Sequence, residues 1–377
     1  MAFAGFAVAG IFILYVLLGY PALLTVLARR RGRPVKRGPL QPSVTIIIAV
    51  YNGERFVQEK LRSILDLQYP RAKMQIVVAS DGSTDRTEEV VAGFAPDGVE
   101  LLRLPHRGKT AALNAAMAQA HGEILVFTDI RQIVEPQSLN LLLENFADPC
   151  IGAASAELVL FQGAERSERN VGLYWQYELW IRSNLSTLDS IFGATGAYYA
   201  MRRELVTPLP QDALLDDMHL PLAAFFRGYR LVVDARAHMF DYPSRIENEF
   251  CRKVRTLAGN YQILRAYPQL LGPRNRLWLH FVSYKLARLF LPFALIAMAV
   301  CSFGLPSPWG LALLAAQAGA YAAAAADIWI PETWPMKRLT SLLRTFVIFM
   351  AAALCAVSVF FLPSNKLWRA DAASGTP

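Results

Sequence analysis

Three short apolar runs in the first third of the chain end abruptly in polar sequence. The runs cover residues 44–50, 75–80 and 123–128. They are rich in β-branched residues and alternate with helical patterns, which predicts parallel strands of a βαβ sheet. Ligands bind beyond the carboxyl ends of such strands. The residues Asn52, Asp81 and Asp129 that follow the runs therefore predict one acidic pocket.

Longer apolar segments form the second pattern. Segments 4–27, 289–305, 311–330 and 345–363 are long enough to cross a bilayer. The basic residues after the first segment stand on the wrong side of it for a cleaved signal peptide, which favours a retained anchor. A cleaved signal with unusual flanks is the alternative.

The distribution of basic residues gives the chain an expected orientation. The positive-inside rule places residues 28–275 and the basic loop 331–344 in the cytoplasm. We therefore expect a multi-pass protein of the inner membrane. The predicted organisation is an N-terminal transmembrane anchor (1–28), a basic linker (29–43), a globular α/β domain (44–275), membrane-associated and transmembrane helices (276–363) and a tail (364–377).

Charge and cysteine content narrow the class of partner. The formal net charge is +8, and much of it lies in the cluster at 29–37. Next to an apolar segment this cluster predicts contact with anionic lipid, so we expect membrane lipids and no nucleic acid as partners. The four cysteines form no CxxC or zinc spacing, which fits a catalytic region in a reducing compartment.

The usual glycine-rich nucleotide loops are missing from the sequence. Gly108-Lys109-Thr110 resembles the end of a Walker loop, but Arg103 stands where its first glycine belongs. No GxGxxG follows the first strand. We therefore expect a nucleotide to be held by carboxylates, a metal ion and basic side chains.

Seven short motifs occur in one order between residues 44 and 256. They are IAVYNGE at 48–54, SDGSTD at 80–85, KTAALN at 109–114, FTD at 127–129, GATG at 193–196, LDD at 215–217 and RKVRT at 252–256. In this order, with an apolar anchor before and apolar segments after, they resemble the family 2 glycosyltransferases. The membrane arrangement resembles bacterial polysaccharide synthases related to cellulose and hyaluronan synthases.

The resemblance implies a GT-A fold, a Rossmann-like mixed sheet, over residues 44–275. It also implies a nucleotide-diphospho-sugar donor, with Asp81 accepting hydrogen bonds from the base. The donor-binding residues that it implies are Tyr51, Asn52, Glu54, Asp81, Gly82, Ser83, Lys109, Asn114, Arg131, Arg252 and Arg255. The alternative for Asp81-Gly82-Ser83 is an ordinary turn with a helix cap.

The resemblance makes Asp129 the ligand of Mg²⁺ or Mn²⁺, hard cations that prefer oxygen. The family motif Asp-x-Asp requires an acid at position 131, and Arg131 stands there. Either phosphate oxygens and water complete the metal's shell, or Arg131 replaces part of its charge by pairing with phosphate. The alternative is that Arg131 faces solvent.

The adjacent acids Asp216 and Asp217 are the expected catalytic residues. The resemblance makes Asp217 the general base that takes the proton of the acceptor hydroxyl. Repulsion between the two carboxylates is expected to raise one pKa. The alternative is an acidic pair at a helix N-terminus, stabilised by the helix dipole.

Apolar residues at helical spacing over 250–264 predict an amphipathic helix that places Arg252 and Arg255 on one face. The resemblance implies that this face grips the diphosphate, and a basic helix on lipid headgroups is the alternative. Thr256 stands where the family has tryptophan.

The expected acceptor-binding residues are Thr195, Gly196 and Trp175. Aromatic residues such as Trp175, however, more often lie in a core or at a membrane interface.

Together these patterns predict an inverting membrane-bound glycosyltransferase that acts on a saccharide or lipid-linked saccharide in polysaccharide biosynthesis. The expected transfer is of a hexosyl or N-acetylhexosaminyl group. One rival is a catalytically inactive nucleotide-sugar sensor in a polysaccharide export complex, supported by Arg131 alone. A transporter with a regulatory domain is the second rival, but the three late apolar segments contain almost no charged residues.

Overall fold

The computed structural model describes residues 1–160, 166–241, 246–273, 275–331 and 333–362, with backbone only at 160, 166–173 and 246–249. Contacts between residues divide the chain into two compact units. The first comprises Met1–Arg30, Gln162–Ile181 and Pro243–Pro377, and the second comprises Arg31–Phe161 and Arg182–Tyr242. We call them the helical unit and the sheet unit.

The sheet unit is built on one sheet of eight strands. The strands are β1 Val44–Val50, β2 Met74–Asp81, β3 Val99–Leu104, β4 Ile124–Thr128, β5 Ile133–Val134, β6 Ile151–Leu160, β7 Tyr198–Arg202 and β8 Arg230–Asp241. Their order across the sheet is β3-β2-β1-β4-β7-β6-β8-β5. Residues of β2 and β4 are buried throughout, as the uninterrupted apolar runs predict.

The pairing of the strands is mixed. β1 lies between β2 and β4 and is parallel to both, which confirms the predicted parallel core. β7 is antiparallel to β4 on one side and to β6 on the other. The carboxyl ends of β1, β2, β4 and β6 therefore lie at one edge of the sheet, which we call the carboxyl edge.

Helices alternate with the strands in the sheet unit and make up most of the described part of the helical unit. Those in the described residues are α1 Ala2–Leu14, α2 Tyr20–Arg31, α3 Glu54–Leu65, α4 Thr87–Ala92, α5 Lys109–Gln119, α6 Ser138–Leu143, α7 Arg166–Leu188, α8 Asp216–Phe226, α9 Ile246–Ala266, α10 Trp278–Phe281, α11 Ala287–Ser302, α12 Trp309–Ala326 and α13 Lys337–Cys355. α3 packs its apolar residues Val57, Leu61 and Ile64 inward, which is typical of an amphipathic helix.

Within the described residues, the helical unit contains four helices that are long and apolar enough to cross a membrane. They cover Ala2–Arg31, Trp278–Ser302, Trp309–Trp329 and Lys337–Phe360, and the first includes both α1 and α2. One N-terminal and three C-terminal apolar helices confirm the predicted arrangement.

Two of these helices begin earlier than their apolar segments predicted. The segment predicted at 289–305 belongs to a helix that begins at Trp278, because its polar first part finds partners inside the unit: Tyr20 Oη lies 3.2 Å from His280 Nδ1. The segment predicted at 345–363 belongs to a helix that begins at Lys337. Lys337 Nζ is held 3.3 Å from the buried carboxylate of Asp327.

Candidate active site

The turns after β1 and β2 are joined at the carboxyl edge by hydrogen bonds. The Asn52 Oδ1 atom accepts from the backbone N–H of Thr84 at 2.8 Å, and the Asn52 N–H donates to Ser83 Oγ at 3.1 Å. Asn52 has φ 50°, a left-handed conformation that asparagine tolerates better than most residues. The Asp-Gly-Ser-Thr-Asp motif is thus both a turn, as its alternative interpretation predicted, and one wall of the candidate site.

Position 82 requires glycine, because the backbone at His106 passes very close to it. Gly82 has φ 68°, and a Cβ atom there would lie 2.7 Å from the backbone nitrogen of His106. A side chain at this position would therefore push the segment that carries His106 away from the carboxyl edge.

Glu54, at the start of α3, is another expected donor-binding residue. Its carboxylate accepts a hydrogen bond from the backbone N–H of Arg86 at 3.2 Å.

Asp81 is buried, and it organises a segment that the sequence did not single out. Its carboxylate accepts hydrogen bonds from the backbone N–H of Arg107 at 2.8 Å and of Gly108 at 2.9 Å. His106 Nδ1 lies 3.0 Å from the same carboxylate, and its ring stacks on Tyr51 at 4.3 Å between centroids. Tyr51 and His106 thus form an aromatic wall beside Asp81. Gly108, which the sequence analysis considered only as part of a Walker-like loop, was the one available signal for this segment.

Lys109 connects two other expected site residues, Asp129 and Asp216. It is the first residue of α5, and its Nζ atom lies 3.0 Å from Asp129 Oδ1 and 3.2 Å from Asp216 Oδ1. Burial by itself would lower the pKa of Lys109, but the carboxylates of Asp129 and Asp216 raise it above its ordinary value. The lysine therefore stays charged and draws the end of β4 and the acid pair into one acidic cluster.

The acid pair lies in the first turn of α8, which begins at Asp216. Both acids thus benefit from the helix dipole, as the alternative interpretation predicted. A Cβ atom at Gly196 would lie 3.1 Å from Asp217 Oδ2, and the backbone N–H of Ala194 donates to the Asp217 carbonyl at 2.7 Å. The Gly-Ala-Thr-Gly motif therefore packs against Asp217. Thr195 Oγ1, in the same motif, accepts from Arg182 Nη2 at 3.1 Å.

Arg131 forms an ion pair within the protein. The sequence analysis had considered only a pairing with phosphate or exposure to solvent. Its Nη2 atom lies 2.5 Å from Asp241 Oδ2, at the end of β8, and Gln132 Nε2 donates to the same oxygen at 2.8 Å. Asp241 is buried, whereas the Arg131 side chain is 42% exposed. Arg131 is thus fixed by the protein with part of its guanidinium accessible to solvent.

Asn114 is used by the chain itself. Its side-chain amide donates to the Leu209 carbonyl at 2.9 Å and accepts from the Leu209 N–H at 2.8 Å. One helical turn earlier, Thr110 Oγ1 donates to the Gln211 carbonyl at 2.8 Å. Helix α5 therefore holds the segment that leads into the acid pair. The expected donor contact of Asn114 stays a prediction.

Two buried residues behind the cluster escaped the sequence analysis. Lys60 on α3 donates to Thr128 Oγ1 at 2.6 Å and to the Gln132 carbonyl at 2.7 Å. Burial lowers the pKa of Lys60 to about 7, and the charge of Asp129 opposes this shift. Tyr199 is stacked on Phe127, and its buried hydroxyl has no hydrogen-bond partner among the described residues. A lysine in an amphipathic helix and a tyrosine in a strand carry no sequence signal for such positions.

Three expected site residues belong to the helical unit. Trp175 lies on α7, and Arg252 and Arg255 lie on α9, where Thr256 Oγ1 donates to the Arg252 carbonyl at 2.8 Å. Their predicted contacts with donor and acceptor stay predictions.

The side chains near Asp129 can supply only part of the ligand shell of a divalent metal ion. Among the described residues there is no group of three or more His, Cys, Asp or Glu side chains placed to hold a metal. The Asp129 side chain is 39% exposed, and Lys109 occupies only its Oδ1 atom. One carboxylate oxygen completed by substrate phosphates and water is an arrangement that Mg²⁺ uses in proteins. The site thus fits a metal ion that arrives with a phosphate ligand.

The comparisons with known proteins agree with this geometry. Residues 45–208 match the family model described as glycosyl transferase family 2. The fold resembles that of a mannosyltransferase from Pyrobaculum calidifontis, solved in complex with GDP-Man and Mn²⁺. The TM-score is 0.71 at 26% identity, over 95% of this chain and 99% of that one. This confirms the predicted GT-A fold, and over residues 45–208 the family model agrees with the predicted resemblance.

Curated relatives match over shorter stretches. A probable glycosyltransferase of Bacillus subtilis, YdaM, is 24% identical over 50% of this chain and 48% of its own length. The poly-beta-1,6-N-acetyl-D-glucosamine synthase of Staphylococcus aureus is 22% identical over 59% of this chain and 55% of its own. The matched region thus spans about half the length of these relatives.

Proposed function

We propose that this protein transfers a sugar from a nucleotide-diphospho-sugar to a saccharide or lipid-linked saccharide at a membrane, with inversion at the anomeric carbon. The observation that carries the proposal is the bridge from Lys109 to Asp129 and Asp216. It joins the strand end expected to meet the diphosphate to the helix that carries the expected base. A glycosyl transfer needs these two groups on either side of one anomeric carbon.

The donor's nucleotide is assigned to the wall formed by Tyr51, Asp81 and His106. The exposed Tyr51 ring offers a face for stacking, and the Asp81 carboxylate offers an acceptor for a base N–H. Lys109 and Arg131 supply positive charge for the diphosphate beyond the ends of β1 and β4.

Asp217 is assigned as the general base. It takes the proton of the acceptor hydroxyl while the hydroxyl oxygen attacks the anomeric carbon and the bond to the nucleotide diphosphate breaks. Gly196 packs against the Asp217 carboxylate, so a larger residue at position 196 would crowd the proposed base. Lys109 holds the neighbouring Asp216 in an ion pair, which keeps the acid pair next to the end of β4.

Asp129 is assigned to hold Mg²⁺ or Mn²⁺ together with the diphosphate. The bound ion would stabilise the negative charge that develops on the leaving nucleotide diphosphate. The presence of Mn²⁺ and GDP-Man in the similar mannosyltransferase supports this assignment.

The four apolar helices support a multi-pass protein of the inner membrane, and the basic residues at 29–37 support a cytoplasmic sheet unit. The similar mannosyltransferase supports a hexose donor, and the similar poly-beta-1,6-N-acetyl-D-glucosamine synthase supports an N-acetylhexosamine donor and a role in polysaccharide biosynthesis. The predicted domain boundaries at 28, 43, 275 and 363 belong to this proposal.

The test uses full-length protein in detergent. Binding and hydrolysis of UDP- and GDP-linked hexoses and N-acetylhexosamines are measured with Mn²⁺, with Mg²⁺ and with EDTA. We expect one donor to bind and to be hydrolysed in a metal-dependent way. Absence of binding and hydrolysis for the whole series would refute the proposed function, and binding without any turnover would support the sensor alternative.

A further inference from the structure

Glu157 on β6 lies at the carboxyl edge, on the side away from the wall formed by Tyr51, Asp81 and His106, which we call the nucleotide wall. Phe127 on β4 and Ser155 on β6 are both register partners of Tyr199. Two residues further along these strands come Asp129 and Glu157, so both reach the same edge. Two strand spacings separate them, roughly 10 Å.

The surroundings of Glu157 are polar. The neighbouring strand places His238 opposite it, and the register between the two strands shifts between Ala156 and Glu157. Such irregularities often occur beside active sites, where they redirect a side chain. Burial raises the pKa of Glu157, while the charges of His238 and Arg182 lower it.

Glu157 is linked to the loop that packs against Asp217. The same strand contributes Ser155, whose Oγ atom accepts from the Thr195 N–H at 2.8 Å. Arg182, one of the charges that act on Glu157, donates to Thr195 Oγ1. Within the described residues, the Glu157 carboxylate itself makes no hydrogen bond or ion pair, and Arg182 Nε has no partner.

We propose that Glu157, beside the Thr195 loop held by Arg182, is a subsite for the hydroxyl groups of the acceptor saccharide. This inference rests on the proposed function. A carboxylate repels a diphosphate, which argues against the donor as its ligand, whereas it accepts hydrogen bonds well from sugar hydroxyls. The order of the strands agrees: the nucleotide wall follows β1 and β2, Asp129 follows β4, and β6 lies beyond β7.

The experiment compares Glu157→Gln and Glu157→Asp with wild-type protein in detergent. Release of nucleotide diphosphate is measured with water alone and with added methyl and octyl glycosides of glucose, mannose and N-acetylglucosamine. Donor affinity is measured separately by calorimetry. Glu59→Gln, an exposed carboxylate on α3, is the matched control.

We expect Glu157→Gln to raise the KM for the stimulating glycoside ten- to a hundredfold, the range for loss of a hydrogen bond to a charged group. Hydrolysis by water and donor affinity should stay within about twofold of wild type, and Glu157→Asp should recover part of the glycoside affinity. An unchanged glycoside KM would overturn the inference, as would loss of donor affinity or a wild type that no glycoside stimulates. A wild type that neither binds nor hydrolyses a donor would instead refute the proposed function.

Discussion

Arg131 and Asp241 form an ion pair between the segment after β4 and the end of β8, with 2.5 Å between Nη2 and Oδ2. The arginine stands where the family motif has a metal-binding acid. The pair therefore replaces an expected negative charge near Asp129 with a cation that the protein holds in place. Removing one member would leave either a buried carboxylate without its cation or a positive charge without its anchor.

Arg131→Asp is expected to lower donor affinity at saturating Mn²⁺ at least tenfold. The change places a carboxylate beside Asp241 and removes a charge-assisted bond to phosphate, which contributes about 1.5–3 kcal/mol. Calorimetry with the nucleotide diphosphate measures the affinity. Combining it with Asp241→Arg should restore the ion pair and the thermal stability but not the affinity. Equal or tighter binding by Arg131→Asp would show that Arg131 does not meet the diphosphate.

Asp217→Asn is expected to abolish transfer while donor affinity stays nearly intact. Loss of a general base costs about 10²–10⁴ in rate, and an amide cannot take the acceptor's proton. Rates of transfer and donor affinity are measured on the same preparation. Asp97→Asn, an exposed acid distant from α8 in sequence, is the control. Near-normal turnover of a folded Asp217→Asn variant would show that another residue is the general base.

Asp129→Ala is expected to remove the metal dependence of donor binding. Asp129 contributes the one carboxylate oxygen assigned to the ion, and Arg131 provides no second acid. Titration of the nucleotide diphosphate with and without Mn²⁺ should show a large difference for wild type and almost none for the variant. If Mn²⁺ strengthens binding equally in both proteins, the ion is held elsewhere.

Lys60 is expected to make the stability of the fold rise with pH. Burial lowers its pKa from 10.5 to about 7, so between these values the unfolded chain binds the extra proton and the folded chain does not. The free energy of unfolding therefore increases through this window, by at most about 1.4 kcal/mol per pH unit from this group. The contribution of Lys60 to the free energy of unfolding is lowest below pH 7, where the buried lysine must carry its charge.

Thermal unfolding between pH 6 and 10 checks this dependence. Lys60→Met should lower the melting temperature, because Thr128 and Gln132 lose their donor, and should flatten its rise with pH. Lys73→Met, at an exposed lysine, should leave the slope unchanged. An identical slope for wild type and Lys60→Met would mean that Lys60 keeps an ordinary pKa.

The sequence by itself determined the local features of this protein. Short uninterrupted apolar runs rich in β-branched residues are typical of strands that are buried on both faces, so β1, β2 and β4 were predictable, and so was the polar edge that follows them. Apolar segments of membrane length depend on composition alone, which is why all four apolar helices were found. The helix start at Lys337 was not predicted, because polar residues continue a helix when a neighbouring segment, here the one that carries Asp327, supplies their partners.

The tertiary structure decided which charges meet. Lys109 pairs with Asp216, and Arg131 pairs with Asp241, across more than a hundred residues of chain in each case. Lys60, which resembles a surface lysine in the sequence, is buried beneath Thr128. Sequence periodicity fixes which face of a strand or helix is apolar, but it does not specify which strand ends become neighbours. These partners depend on the order β4-β7-β6-β8 and on how the helices pack beside it, and both are properties of the whole fold.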